Sequence, residues 1–144
     1  MIESDTIKLL RECDAGVKMG ITSIGEVLSY VSDESLKKSL NRCMDKHIEL
    51  KEDMQSLLAR YHDEGKNPNP VAKGMSWMKT NVKLVMNESD KTIADLMTDG
   101  CNMGVKSLEK YLNQYKAADD EAKNIAKELI GSEEKLLREI KSYL

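Results

Sequence analysis

Phenylalanine is missing from all 144 residues, and one tryptophan and five tyrosines are the whole aromatic complement. Any core must therefore be built from aliphatic side chains and from methionine, of which there are nine. Proline occurs only twice, at 68 and 70, so long stretches can stay helical. The three cysteines are an odd number without a Cys-x-x-Cys pair, which excludes a disulfide scaffold and fits a reducing cytoplasm. No apolar run approaches the roughly 18 residues of a membrane span. The opening Met-Ile-Glu-Ser-Asp is no signal peptide. Charge of one sign is also scarce. The 22 basic and 25 acidic residues alternate and leave a net charge of -3, so no nucleic-acid groove or basic membrane-facing surface is readable. The expectation is one cytoplasmic, soluble domain with neither nucleic acid nor membrane as partner.

What is present is helical. Ile7, Leu10, Asp14, Val17, Ile21, Ile24, Leu28 and Val31 recur in steps of three and four, with Asp14 as the polar intruder. Ser4 is placed to cap this helix and Ser32 the next. A second seam runs Leu36, Leu40, Cys43, His47, Leu50, Met54, Leu57 and Tyr61. The short turn between the two makes them antiparallel. The one clear break is His62-Asp63-Glu64-Gly65-Lys66-Asn67-Pro68-Asn69-Pro70, with Gly65 read as a helix end. Val71, Met75, Met78, Val82 and Met86 then predict a short helix within a crossover. A third seam carries Ile93, Met97, Cys101, Val105, Leu108, Leu112 and Tyr115. A fourth, opened by Asp119-Asp120-Glu121, carries Ile125, Leu129, Leu136, Ile140 and Tyr143. The expected fold is an all-α, up-down four-helix bundle in a single domain, 1–144. Its hairpins cover about 4–62 and 88–144, and a long crossover of about 63–87 carries the short extra helix.

The two hairpins echo one another. Cys13-Asp14-Ala15-Gly16-Val17-Lys18 returns 88 positions later as Cys101-Asn102-Met103-Gly104-Val105-Lys106, and the second seam falls on the fourth at an offset of 86. Gly16 and Gly104 each cost a helix about 1 kcal/mol relative to Ala, so close helix approach is expected at both. Cys13 and Cys101 then read as small buried groups, the alternative being a reactive or metal-binding thiol.

The connectivity of two hairpins with a long link, together with Leu10 to Gly16, Pro70 to Met86 (with Gly74, Trp77 and Lys83) and Asp99 to Tyr111, resembles the ferritin-like superfamily. Within it the chain is similar to a small bacterial domain-of-unknown-function group. The resemblance spans nearly the whole chain, and implies a ferritin-like fold and no established reaction.

A di-iron bundle needs inward glutamates and two Glu-x-x-His motifs. Met44 stands three residues before His47, and Ala59 before His62, so the ligand set is incomplete. At the 86-residue offset His47 falls on Glu133, which predicts that the two meet in mid-bundle. Three readings are open: a buried hydrogen-bonded pair or a Glu133 rotated to solvent, a partial iron, zinc or manganese site with Cys43 and perhaps Asp14, or a histidine that charges as pH falls. Asp14 is expected about two turns from His47, roughly 10 Å away. No glycine-rich phosphate loop, Gly-x-Ser-x-Gly or other nucleophile–base motif is visible. Met75, Trp77 and Met78 are candidates for an apolar partner surface. The first reading of function is a non-catalytic bundle without a cofactor, acting as a homo-oligomer (a dimer) or through a protein partner. The alternative is a metal-binding or redox protein built around His47, Cys43 and Glu133.

Overall fold

A computed structural model describes residues 2–68 and 89–144. Four long helices pack together: α1 (Ile2–Val27), α2 (Glu34–Arg60), α3 (Ser89–Gln114) and α4 (Asp120–Ile140). Short 3-10 turns follow α1 at Leu28–Tyr30 and α4 at Lys141–Tyr143. Strands are absent among the described residues. None of these helices is long and apolar enough to cross a membrane.

The helix ends hold the bundle's topology. At one end Asp90 accepts from the backbone N–H groups of Ser32 (2.8 Å) and Asp33 (3.0 Å), and the Tyr143 hydroxyl donates to Asp33 (2.7 Å). At the other end Thr6 Oγ1 accepts from Asp119 N (2.8 Å), Asp5 accepts from Ala117 N (3.1 Å) and Arg60 meets Glu121 (3.3 Å). Hence α1 runs antiparallel to α2 and α3, and α4 antiparallel to α2 and α3. The end of α2 and the start of α3 therefore lie at opposite ends of the bundle, and the link between them joins those ends. Each helix touches two neighbours, and α1 also meets α4 across the middle.

Two cap assignments change. Asp33, not Ser32, caps α2, its carboxylate accepting from Leu36 N. Ser4 lies inside α1, which begins at Ile2. Asp119 caps α4 through Ala122 N, at the start signal expected for it. Gly65 does not end α2, which stops at Arg60. It sits five residues on with φ of +89°, in the left-handed region that favours glycine. The expected helix of the crossover, with Met75, Trp77 and Met78, lies outside the described residues.

The core falls into two apolar clusters. One, towards the start of α1, gathers Leu9, Leu10, Cys13, Val17, Leu50, Met54, Leu108 and Leu129 with their neighbours. The other gathers Ile24, Val27, Leu36, Leu40, Cys43, Ile93, Met97, Cys101 and Leu136. On every helix one position stands between the two: Gly20, His47, Gly104 and Glu133.

The hairpin repeat is real in burial but not in the register of the letters. An offset of 86 carries buried Leu36, Ser39, Leu40, Cys43, Leu50 and Met54 onto buried Ala122, Ile125, Ala126, Leu129, Leu136 and Ile140. Between α1 and α3, however, the offset that maps buried onto buried is 84. It carries Leu9, Leu10, Cys13, Val17 and Ile24 onto Ile93, Ala94, Met97, Cys101 and Leu108. The Cys-x-x-Gly-Val-Lys echo is displaced from this by four residues, one turn that keeps the same helix face. Among the described residues Gly16 consequently has nothing within 4 Å of where a Cβ would stand, so the close approach expected there is not made by them. Gly20 occupies the equivalent of Gly104.

Candidate functional site

In the layer between the clusters, ionisable groups of two helices face one another. His47 lies on the inward seam of α2 and is 1% exposed. Its Nδ1 is 2.9 Å from the carbonyl oxygen of Cys43, one turn earlier. A carbonyl can only accept, so Nδ1 carries the proton in both charge states of the ring. The other nitrogen, Nε2, faces Glu133 Oε1 of α4 at 3.8 Å, so the expected meeting of His47 and Glu133 takes place. That separation is too long for a direct hydrogen bond but within the range of an ion pair. Burial opposes a charge on the ring, but the Cys43 and Glu133 side chains outweigh it and push the His47 pKa up to about 9.

Glycines make the room for this pair. A Cβ on Gly20 would fall 2.7 Å from His47 Cδ2, and one on Gly104 would fall 2.5 Å from Glu133 Oε2. Each bulky polar side chain of one helix therefore lies against a bare backbone of its hairpin partner, the imidazole on α1 and the carboxylate on α3. Glu133 is 12% exposed, and its Oε2 has no hydrogen-bond partner.

Cys43 approaches the other edge of the ring. Its Sγ is 3.7 Å from His47 Nδ1 and 3.7 Å from Ser132 Oγ. Thiol and carboxylate thus flank opposite nitrogens of one imidazole, and cannot share one ion through it. Among the described residues no group of three or more His, Cys, Asp or Glu is placed to hold one ion. The set expected from the sequence converges, but as a chain, Cys43–His47–Glu133, not as a cage.

The remaining candidates serve elsewhere. Asp14 is wholly buried, and its Oδ2 accepts from Lys18 Nζ (2.7 Å) and Lys66 N (3.1 Å). Its place in the seam is explained by the loop after α2, which it pins to α1. Cys13 and Cys101 are buried free thiols in different core clusters. Burial, then the carboxylates of Glu12, Asp14 and Glu133, push Cys13 up to about 12. Burial, then Glu133 and Cys43, raise Cys101 as well. Neither is a thiolate near neutral pH, so both act as small apolar groups.

Sequence reasoning missed the cleft on the outer side of Cys43. It lies between α2 and α4, has a volume of about 310 Å³, and is lined by Cys43, Ser132, Arg42, Lys46 and Lys135 together with Glu128 and Glu139. Lys46 meets Glu128 at 3.6 Å, and Arg42 pairs with Glu139. The signal was present in the i, i+3 and i+4 spacing of Arg42, Cys43, Lys46 and His47, but the facing half comes from a helix some 90 residues away. Compared with known proteins, the chain matches no family model, no curated protein and no solved structure.

Proposed function

We propose that the chain is a ferritin-like bundle whose mid-bundle layer holds one closed histidine–glutamate pair in place of a di-metal ligand set, and that it acts through association and not through catalysis. Two antiparallel hairpins with an end-to-end link support the ferritin-like reading. The observation that carries the functional reading is that both nitrogens of His47 are engaged. Nδ1 is held by its own helix, Nε2 faces the Glu133 carboxylate, and glycine backbones close the layer from α1 and α3. The pair alone supplies fewer than the three or four protein ligands of a zinc site. The partner is a second copy of the chain or another protein. The large apolar side chains exposed among the described residues, Ile48, Met103 and Leu144, stand on separate elements.

One observation favours a second reading, a metal ion shared by His47 Nε2 and Glu133. Oε2 is buried without a partner among the described residues, and Nε2 faces the same carboxylate. Cys43 has no part in this version. Thermal melts of the purified chain with and without iron, zinc or manganese separate the two readings. An ion held only by the folded state at a hundredfold excess over its Kd stabilises by about 2.7 kcal/mol. An unchanged Tm with an oligomer in sedimentation supports the first reading; a metal-dependent rise in Tm, lost in Glu133→Gln, replaces it with the second.

A further inference from the structure

We propose that Cys43 is the oxidant-reactive thiol of this protein: its Sγ, set between His47 Nδ1 and Ser132 Oγ in the α2–α4 cleft, is the sulfur that hydroperoxides reach and convert to a sulfenic acid. This goes beyond the association reading and needs no metal at the layer behind it.

Access is the first ground. Cys43 is 7% exposed and lines a cleft of about 310 Å³, whereas a molecule the size of water takes about 30 Å³ of liquid. Hydrogen peroxide or a small organic hydroperoxide fits with room for its leaving oxygen. Cys13 is fully buried in the other cluster, and Cys101 lies in the core on α3 without a place in the cleft lining.

Polarisation is the second. The Nδ1–H of His47 is a donor whichever charge the ring bears, because the Cys43 carbonyl it meets can only accept. At 3.7 Å from Sγ it is a fixed positive edge for a developing thiolate. Ser132 brings a hydroxyl to the same distance. Around the mouth stand Arg42, Lys46 and Lys135, against the carboxylates of Glu128 and Glu139. A thiol that lines a cleft beside an imidazole N–H is a setting in which thiols react.

Atoms and electrons balance in this step. Sγ attacks one peroxide oxygen, the S–O bond forms, and the O–O bond breaks. The departing oxygen leaves with the electron pair and takes up the proton given up by the thiol, as water from hydrogen peroxide or an alcohol from an organic hydroperoxide. Sulfur is oxidised by two electrons and the peroxide is reduced by two. His47 and Ser132 position and polarise the sulfur without entering the balance.

Brief exposure of the full native chain to hydrogen peroxide in the presence of dimedone, followed by peptide mapping, tests this. The expected result is labelling of Cys43 at least about tenfold faster than of Cys13 or Cys101, with the preference gone in guanidinium. Cys43→Ser should remove the fast label, and His47→Gln should slow it while leaving the slow labelling of Cys13 and Cys101 as it was. Should Cys43→Ser fail to fold, the competition among the three thiols of the unaltered chain still decides. Equal labelling of the three in the native protein, preference for Cys101, or no native labelling at Cys43 overturns the proposal.

Discussion

Gly20 of α1 lies against the imidazole of His47 on α2, so closely that one added methyl would reach into the ring. Gly104 lies in the same way under Glu133, but the two contacts differ in what can yield. His47 is enclosed, whereas the Glu133 carboxylate is the end of a flexible chain with a route to solvent. Gly20→Ala is therefore expected to lose about 1–3 kcal/mol by overpacking, with little offset from helix propensity. Gly104→Ala should cost less than Gly20→Ala, because Glu133 can swing outward, though at the loss of its pairing with His47. Gly16→Ala meets nothing among the described residues and should gain up to about 1 kcal/mol. Urea melts of the three variants check the order, and equal effects at all three would contradict it.

A protonated His47 links folding to pH. In the folded chain its pKa is pushed up to about 9, against an ordinary value of 6.5. The folded state therefore holds a proton that the unfolded chain releases earlier. The resulting stabilisation is complete below about pH 6.5 and is lost as pH rises through about 9. Its size is on the order of 3 kcal/mol or less. Above that window Cys13, raised from 9.0 to about 12, continues the decline, because unfolding frees a thiol to ionise. Urea midpoints measured between about pH 6 and pH 9 should fall for the native sequence and flatten in Glu133→Gln. A midpoint constant over that range in the native sequence would mean that His47 and Glu133 do not form a charged pair.

Much of this layer is legible in the sequence alone. The seam Leu36 to Tyr61 places His47 inward, and the 86-residue offset brings Glu133 to it, because both depend only on a helical period that continues unbroken. What stays hidden depends on register between helices. The Cys-x-x-Gly-Val-Lys echo points to Gly16, one turn from the position that is used. A slip of four residues preserves the face of a helix while changing its height, and periodicity cannot report height. Asp14 reads as a flaw in a seam for a similar reason, since its partner is the backbone of a loop some 50 residues further on. The cleft beside Cys43 is divided between two helices, so neither segment alone announces it.

Asp14 should be the fastening of that loop. It accepts from Lys66 N and Lys18 Nζ, and Lys18 reaches on to the Lys66 carbonyl and Asn67 Oδ1, each at 3.4 Å. Asp14→Ala leaves a backbone donor and an ammonium without their acceptor, at a cost of about 2–3 kcal/mol. Gly65→Ala attacks the same fastening from the other side. It imposes a left-handed φ on a residue with a side chain and drives its Cβ into the Asp14 carboxylate. Both variants should become more susceptible to trypsin at Lys66. Unchanged cleavage there in Asp14→Ala would mean that the loop is held by other contacts.

At the end where α3 turns into α4, Asp119 makes two kinds of bond, and mutations can tell them apart. Its carboxylate caps Ala122 N at 2.9 Å and accepts from the Tyr61 hydroxyl at 3.4 Å. Its backbone N–H instead donates to the hydroxyl of buried Thr6 at 2.8 Å. Asp119→Ala should cost about 1–2 kcal/mol for the lost cap. Thr6→Val keeps the shape but leaves a part-buried N–H without its acceptor, at about 1–3 kcal/mol. Because alanine at 119 retains the N–H that Thr6 accepts, the two losses should add to within about 0.5 kcal/mol. Tyr61→Phe with Asp119→Ala should instead fall short of additivity, since each removes one side of the same bond. Double-mutant cycles in urea read both pairs. Strong coupling between Thr6→Val and Asp119→Ala would show that the turn shifts when the cap is lost, and that the α1 contact depends on the carboxylate after all.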